Sequence, residues 1–227
     1  MTTLNSRSVF LRSKIEVGLP LLFSAGDSIY AGTNVRERYC EHLIMLHGTM
    51  RASVPLMEAA MNAAERMQTG DPVAAQLAQY LRKHIPEEIG HDEWVLEDLE
   101  ALGIQRQSVL ARPPTALIAA LVGSQYYWIQ HYHPVALLGY IAVMEGYPPT
   151  VDRIDHFAET SGLPREALRT VRKHAHLDPH HRDDLDRELD FLPLTRDHEA
   201  LIGLSAMNTI SAVSDALSEV ADRFRQH

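Results

Sequence analysis

The chain has 227 residues, a formal charge of −9 at pH 7, 45% hydrophobic residues and one cysteine. It contains only the lysines Lys14, Lys83 and Lys173, so it lacks the basic surface that neutralises phosphates, and we expect no nucleic-acid partner. A single cysteine excludes an intrachain disulfide. We find no secretion signal and no run of the ~20 apolar residues that a membrane span needs. These features predict a cytoplasmic protein without a membrane segment.

Helical periodicity runs through most of the chain, and no pair of segments shows the alternation typical of strands. In chain order, helices are predicted over 34–67, 72–101, 113–132, 133–146, 151–161, 164–189 and 196–224. Pro55 and Pro86 should bend the first two of these helices. A short helix over 15–23 is an open question, because Gly18, Pro20 and Gly26 oppose it. We expect an all-α fold with one domain over residues 1–227, in which residues 1–33 are assigned least firmly.

Polar residues able to bind metal occur first in the segment Glu87-Glu88-Ile89-Gly90-His91. Glu88 and His91 are three residues apart, so on one helix they share a face and can bind the same ion. The alternative is a solvated acidic turn, since charged pairs at this spacing also decorate helix surfaces.

A second candidate is Glu145, which ends the nearly continuous apolar helix that begins at His133. A helix that is apolar all round is buried. Burying a lone carboxylate costs several kcal/mol unless it is paired, protonated or bound to a metal, so Glu145 needs a partner. The alternative is a frayed helix end, where Glu145 reaches solvent past Gly146.

The third candidate is the segment His174-Ala-His-Leu-Asp178-Pro-His-His181. Helical spacing places His174, Asp178 and His181 on one face, whereas His176 and His180 point elsewhere. Two imidazoles and one carboxylate suit iron, manganese or zinc. Pro179 should loosen the helix at this point. The alternative is a histidine-rich segment that binds metal without function.

Together the three segments supply three carboxylates and three imidazoles: Glu88, His91, Glu145, His174, Asp178 and His181. This number of ligands suits two ions, and helix bundles build dinuclear carboxylate sites from inward-facing Glu and Glu-x-x-His residues. The mixed oxygen and nitrogen set favours dinuclear iron.

These motifs, in this order, resemble the heme-oxygenase-like diiron oxidase and oxygenase superfamily. The resemblance covers about Tyr39 to Phe224 and implies a single seven-helix heme-oxygenase-like bundle. It implies that Glu88, His91 and Glu145 serve one iron or bridge the pair. It also implies that His174, Asp178 and His181 complete the second iron site.

The first carboxylate is the ligand that the resemblance assigns least firmly. Some members draw it from another turn, and the position one turn earlier is His84 here. Glu87, Asp92 and Glu58 are therefore alternatives to Glu88.

The resemblance implies an oxidoreductase in which two ferrous ions activate dioxygen, the co-substrate, and an external electron donor of unknown identity resets the site. Members N-oxygenate amines, cleave carbon-carbon bonds of amino acids, or convert fatty acids to alkenes. We favour N-oxygenation of a small amine in a biosynthetic pathway, because aromatic residues near Glu145 could form the wall of a pocket. These aromatic residues are Tyr126, Tyr127, Trp128, Tyr132 and Tyr140. A homodimer is compatible with the resemblance.

Other functions stay open. A metal-independent enzyme, like the thiaminases or pyrroloquinoline-quinone synthase, would use the same bundle for acid-base work, with Cys40 beside Glu41 and His42 as the only available thiol nucleophile. A non-enzymatic interaction or metal-storage protein could use the acidic stretch over 182–190, although this stretch is typical of a solvated helix face. Heme degradation is disfavoured because the chain is acidic.

Overall fold

The computed structural model describes residues 6–31 and 33–224, and within these ranges it contains helices and no strand. The α-helices are α1 (Arg7–Tyr30), α2 (Val35–Met67), α3 (Pro72–Glu88), α4 (His91–Ala101), α5 (Arg106–Ala111), α6 (Ala116–His131), α7 (Leu137–Met144), α8 (Val151–Ser161), α9 (Arg169–Phe191) and α10 (Arg196–Asp222). Two 3-10 turns, Pro134–Ala136 and Arg165–Leu168, precede α7 and α9. The predicted all-α fold is confirmed.

The predicted number of seven helices is too low. Nine of the helices in the described part of the chain have at least eight residues, and α5 has six. The predicted helix over 72–101 is two helices, because Gly90 adopts a φ of +87° between α3 and α4. Only glycine takes this left-handed conformation without strain, so the chain can change direction there.

The amino-terminal helix α1 is longer than the short helix considered over 15–23. Ser6 caps it by accepting a hydrogen bond from the Val9 amide. Gly18 does not break the helix but lets it approach α10, since a Cβ at this position would lie 3.0 Å from Ile210. Tertiary packing against α10 therefore outweighs the helix-breaking tendency of Gly18 and Pro20.

Two apolar cores, together with a third cluster between α1 and α10, stabilise the bundle. The main core contains Leu56 of α2, Leu77 of α3 and Leu138 of α7. The smaller core joins Tyr39 of α2 to Leu96 of α4 and neighbouring residues. Helix α9 contributes to both cores, with its first turns in the smaller core and its last turns in the main core. The middle of α9, which carries the predicted ligands, therefore lies at the junction of the two cores.

Two expectations about long helices need correction. Helix α9 is continuous through Pro179, so the prediction that Pro179 interrupts the regular helix is wrong. Helix α10 is long and apolar enough to cross a membrane by length and composition alone, contrary to the expectation that no segment is. In the fold, 56% of its most apolar window is buried. Core helices commonly have this composition.

Candidate metal centre

Four side chains from three parts of the chain meet at the junction of the cores. They are His84 and Glu88 of α3, Glu145 at the end of α7 and His181 of α9. All four are buried, and their ligand atoms lie within 4.8 Å of one another. We call this group the histidine-carboxylate cluster.

Glu145 is held inside the protein at the carboxyl-terminal cap of α7. Its residue is only 8% exposed, so the alternative of a frayed end that reaches solvent is wrong. Gly146 follows in a tight space, where a Cβ would lie 2.5 Å from the Arg12 guanidinium. The buried Arg12 donates a 2.7 Å hydrogen bond to the Ala142 carbonyl and pairs with Asp186 of α9. This network ties the end of α7 to α1 and α9.

Glu145 contacts both histidines of the cluster. His84 Nε2 lies 3.3 Å from Glu145 Oε1 and 3.1 Å from Oε2, while His181 Nδ1 lies 3.5 Å from Oε2. The two imidazoles meet edge to face at 4.9 Å. Burial lowers the pKa of His84, but the hydrogen bond and charge of Glu145, with the charges of Glu88 and Glu87, outweigh it and raise the pKa to about 9.

The two oxygens of Glu88 face different histidines. Oε1 lies 3.4 Å from His181 Nδ1, and Oε2 lies 3.2 Å from His91 Nδ1. Glu88 and His91 do not share one helix as predicted, because Gly90 separates α3 from α4, yet their side chains still converge. Burial raises the pKa of Glu88, but the close contact with His91 and the charges of His84 and His181 outweigh it and lower the pKa. A carboxylate oriented in this way can bridge two ions.

His91 and His174 form a pair next to the cluster. Their rings meet edge to face at 5.0 Å, and Trp94 stacks on His91 at 4.0 Å. His174 Nδ1 donates to the Thr170 carbonyl at 2.9 Å, which leaves Nε2 with a free lone pair. The Thr170 amide donates to Asp98 of α4 at 2.8 Å. Asp98 thereby fixes the first turn of α9 and, through Thr170, the orientation of His174.

Asp178 is buried on α9 between His174 and His181 in the chain, and its Oδ1 has no hydrogen-bond partner among the described residues. Burial, together with the charges of Glu145 and Glu88, raises the pKa of Asp178 to about 8. Concentrated negative charge of this kind is typical of a cation site. His176 and His180 are exposed, as their predicted positions on other faces require.

Several residues named as alternatives lie apart from the cluster or at its edge. Glu58 is exposed, and Asp92 is half-buried. Glu87 lies at the solvent-facing edge, with its Oε2 3.4 Å from His84 Nδ1 and its side chain 41% exposed. The aromatic wall is not formed as expected, because Tyr127 of α6 and Tyr132 directly after it point to solvent, where they are 63% and 65% exposed.

Tyr140 lies near the cluster, and His84 belongs to it. Tyr140 is buried, and the negative charges of Glu145 and Glu88 add to burial in raising its pKa, so it lies near the cluster. His84 was not selected as a ligand from the sequence. The available signal was its spacing of four residues from Glu88, which places both side chains on one face of α3.

A second group of potential ligands lies elsewhere, where Asp71, His133 and His198 come within 4.8 Å of one another. Asp71 caps α3 by accepting from the Val73 and Ala74 amides, and its other oxygen lies 3.0 Å from His133 Nε2. His133 Nδ1 accepts from the Val135 amide at 3.0 Å. His198 belongs to the capping box of α10. We call this set the capping group.

Comparison with known proteins gives the family. A sequence profile described as iron-containing redox enzyme matches residues 49–209, well over half of the chain. The chain belongs to this family of iron-containing redox enzymes. A search of curated proteins found no match.

Solved structures similar to this iron-containing redox enzyme share its fold. A domain of unknown function with a heme oxygenase-like fold from Shewanella denitrificans is 16% identical, with a TM-score of 0.76 over 96% of this chain and 90% of that one. A TenA homolog from Pseudomonas syringae is 10% identical, with a TM-score of 0.65 over 92% of each chain. A CADD-like protein of unknown function from Nostoc punctiforme is 17% identical, with a TM-score of 0.65 over 86% of this chain and 85% of that one.

The donor set of this iron-containing redox enzyme fits iron. Buried ligand atoms without a hydrogen-bond partner among the described residues include Glu88 Oε1, His91 Nδ1, Glu145 Oε2, Asp178 Oδ1 and His181 Nδ1. An unsatisfied buried polar atom costs about 1–3 kcal/mol, so a concentration of them in one place demands a partner. Imidazole nitrogens and carboxylate oxygens together suit iron ions.

Proposed function

We propose that the protein is a non-heme diiron oxygenase that N-oxygenates a small amine, such as an amino acid or an amino-heterocycle, in a biosynthetic pathway. The observation that carries this proposal is the set of buried, unsatisfied imidazole and carboxylate atoms in a member of an iron-containing redox family. We place the reaction in the cytoplasm, with dioxygen as co-substrate and an external electron donor.

Two overlapping sets of side chains would hold the two ions. His84, Glu145 and His181 would hold one ion, and His91 and His174 would hold the other. Glu88 directs one oxygen at His181 and the other at His91, so it could serve either ion. Asp178 would supply a further carboxylate, and it lies close enough to Glu145 and Glu88 for their charges to raise its pKa. Bound ferrous ions would supply the electrons that reduce dioxygen.

The surrounding side chains supply shelter and charge. The cluster residues are buried, which excludes water from the ligands and strengthens electrostatic interactions there. Tyr80 stacks on His84 at 5.4 Å and forms part of the apolar surround. Glu87 places a carboxylate at the solvent-facing edge, where it would attract a substrate ammonium group over a carboxylate. This edge favours an amine-bearing substrate.

A metal-independent reaction that uses the cysteine as nucleophile is less well supported. Cys40 is half-buried, and burial, with the charges of Glu37 and Glu41, raises the pKa of its thiol. Nucleophilic cysteines require the opposite shift, because the thiolate is the reactive form. The likeness to the TenA homolog is one of fold and carries no support for thiaminase chemistry.

Anaerobic titration with ferrous iron, followed by exposure to dioxygen and amine substrates, tests the proposal. We expect two bound irons per chain and products that gain one oxygen atom on nitrogen, as measured by mass spectrometry. Products that lose a carbon unit would replace N-oxygenation by carbon-carbon cleavage at the same centre. Full activity after chelation would overturn the oxygenase and support a metal-independent enzyme.

A further inference from the structure

A cavity of about 500 Å³ lies between α2, α6 and α10, outside the metal centre. Helix α2 contributes one face, which includes Ile44, Met45, Gly48, Arg51, Ala52 and Pro55. None of the residues that line the cavity belongs to the histidine-carboxylate cluster or to the His91 and His174 pair. The cavity is therefore a separate feature of the bundle.

The size and walls of the cavity suit a small organic molecule. Cavities that bind such molecules measure about 300–1,000 Å³ and are mostly apolar with a few polar groups. Ile118 and Val122 of α6 and Val220 of α10 continue the apolar wall. Gly123 widens the cavity at its edge, where a Cβ would meet no atom within 4 Å.

The polar groups around the cavity favour an anion. Arg112 and Arg223 both pair with Glu41, and Arg223 also pairs with Glu219. Arg51 is exposed at the cavity, and its side chain has no hydrogen bond or ion pair among the described residues, so three arginines face two glutamates. This excess of positive charge occurs in a chain whose formal charge is −9.

A buried histidine in the wall points to the same class of ligand. His47 is 3% exposed, lines the cavity, and forms no hydrogen bond or ion pair within the described part of the chain. Its ring nitrogens are not among the fully buried polar atoms that lack a partner, so they are accessible from the cavity. The imidazole can therefore form a hydrogen bond with the head group of a ligand in the cavity.

We propose that this cavity is a binding site for a small hydrophobic carboxylate. The apolar walls hold its hydrocarbon body, Arg51 pairs with its carboxylate and His47 donates a hydrogen bond to it. A guanidinium binds a carboxylate through two parallel hydrogen bonds, which gives this head group an advantage over an alcohol of the same shape. The proposal does not depend on the chemistry of the metal centre.

Isothermal titration calorimetry of the full chain with 1-naphthylacetate tests the proposal, with 2-(1-naphthyl)ethanol and 1-naphthylethylamine as matched ligands. We expect the carboxylate to bind at least about tenfold more tightly than the alcohol, as a charge-assisted hydrogen bond allows, and the amine to bind most weakly. Equal affinity for all three ligands would overturn the assignment of a carboxylate.

Substitutions then locate the site. Arg51→Ala should weaken binding of 1-naphthylacetate at least about tenfold, and Gly123→Phe should abolish it by filling the cavity. The second change also replaces glycine in a helix, so it should not weaken the fold. Arg66→Ala is the control, because Arg66 is an exposed arginine on the same helix outside the cavity. Unchanged binding in both cavity variants, with their circular dichroism unaltered, would overturn the proposal.

Discussion

The histidine-carboxylate cluster and the capping group contain similar side chains at similar separations, but their polar atoms are used differently. In the capping group, Asp71 accepts from two amides of α3, and His133 Nδ1 accepts from a third amide. In the cluster, Glu88, Glu145 and His181 each keep a buried atom without a hydrogen-bond partner. Proximity of ligand atoms is therefore common to both places, whereas free lone pairs distinguish the cluster.

The directions of the pKa shifts also differ between the cluster and the capping group. Glu145 and its neighbouring carboxylates raise the pKa of His84 to about 9. Burial and the charges of Glu145 and Glu88 raise the pKa of Asp178 to about 8. At neutral pH both side chains are therefore protonated at the place where a cation would bind. In the capping group, burial opposes ionisation of Asp71, but amide and His133 hydrogen bonds outweigh it and lower its pKa. Burial also lowers the pKa of His133. At neutral pH, Asp71 is therefore ionised and His133 is neutral.

The largest difference should appear when one central ligand is replaced. Glu145→Gln keeps the shape of the side chain but removes the charge that contacts His84 and His181. Loss of a group that hydrogen-bonds to a metal ligand lowers metal affinity by up to ~100-fold. Loss of the ligand itself should lower iron affinity by more than this and should abolish turnover. Atomic absorption after anaerobic loading measures the iron. The control is His198→Ala, which alters the capping group and should keep its full iron content. If Glu145→Gln also kept its full iron content, the cluster would not be the iron site.

Metal binding should also release protons from the cluster. At pH 7 the metal-free protein carries a proton on Asp178 and a positive charge on His84, and a bound ion must displace both protons. Affinity should therefore rise up to about 100-fold per pH unit below pH 8 and level off above pH 9. Calorimetry with ferrous iron in buffers of different ionisation enthalpy measures the protons released. No release at pH 7 would contradict the assignment.

The same pKa values set the pH dependence of stability without metal. A histidine whose pKa is raised by folding stabilises the protein below its ordinary pKa, and this stabilisation is lost as the pH rises through about 9. Asp178 acts in the same direction, because its buried carboxyl group favours the protonated form until about pH 8. Thermal melting of metal-free protein should therefore begin at a lower temperature at pH 9 than at pH 7, and iron should reverse this trend.

The sequence predicted most helices because their apolar residues recur at helical spacing. It could not predict the full length of α1, since Gly18 and Pro20 are typical of helix breaks and only the contact with Ile210 of α10 explains Gly18. It also could not predict the break at Gly90 from spacing alone, because one glycine within a periodic segment is compatible with a continuous helix.

The candidate site follows the same rule. Local spacing identified Glu88, His91 and three candidate ligands of α9, and the structure brings these residues close together. The three residues of α9 are His174, Asp178 and His181. His84 was not among the candidates predicted from the sequence because its partner Glu145 lies 61 residues away in the chain, and contacts at that separation depend on how α3 packs against α7. The exposure of Tyr127 and Tyr132 likewise depends on the orientation of α6, which an almost wholly apolar segment does not specify.

A smaller effect is expected from the support of His174. Asp98→Ala removes the acceptor of the Thr170 amide and should destabilise the fold by about 1–3 kcal/mol, since it leaves a buried donor unsatisfied. In the proposed diiron centre, it should also weaken binding of the ion that His91 and His174 would hold about 10- to 100-fold, while the ion at the histidine-carboxylate cluster is retained. Asp98→Asn is the control, because its side-chain carbonyl can still accept the hydrogen bond. Equal loss of both irons in Asp98→Ala would show that Asp98 supports the whole bundle and not His174 specifically.

The smallest effect on metal binding should come from the capping group itself. Asp71→Ala removes the cap of α3 and should cost about 0.5–2 kcal/mol of stability, whereas Asp71→Asn should retain most of it. Because folding lowers the pKa of Asp71, the stabilisation from its charge is present above its ordinary pKa of 3.8 and is lost as the pH falls below that value. The stabilities of the unmodified protein and of Asp71→Asn should therefore converge in strong acid. Guanidinium unfolding at several pH values measures this difference. Iron content should stay unchanged in both variants, and a loss of iron in Asp71→Ala would mean that the capping group, despite its satisfied atoms, also takes part in metal binding.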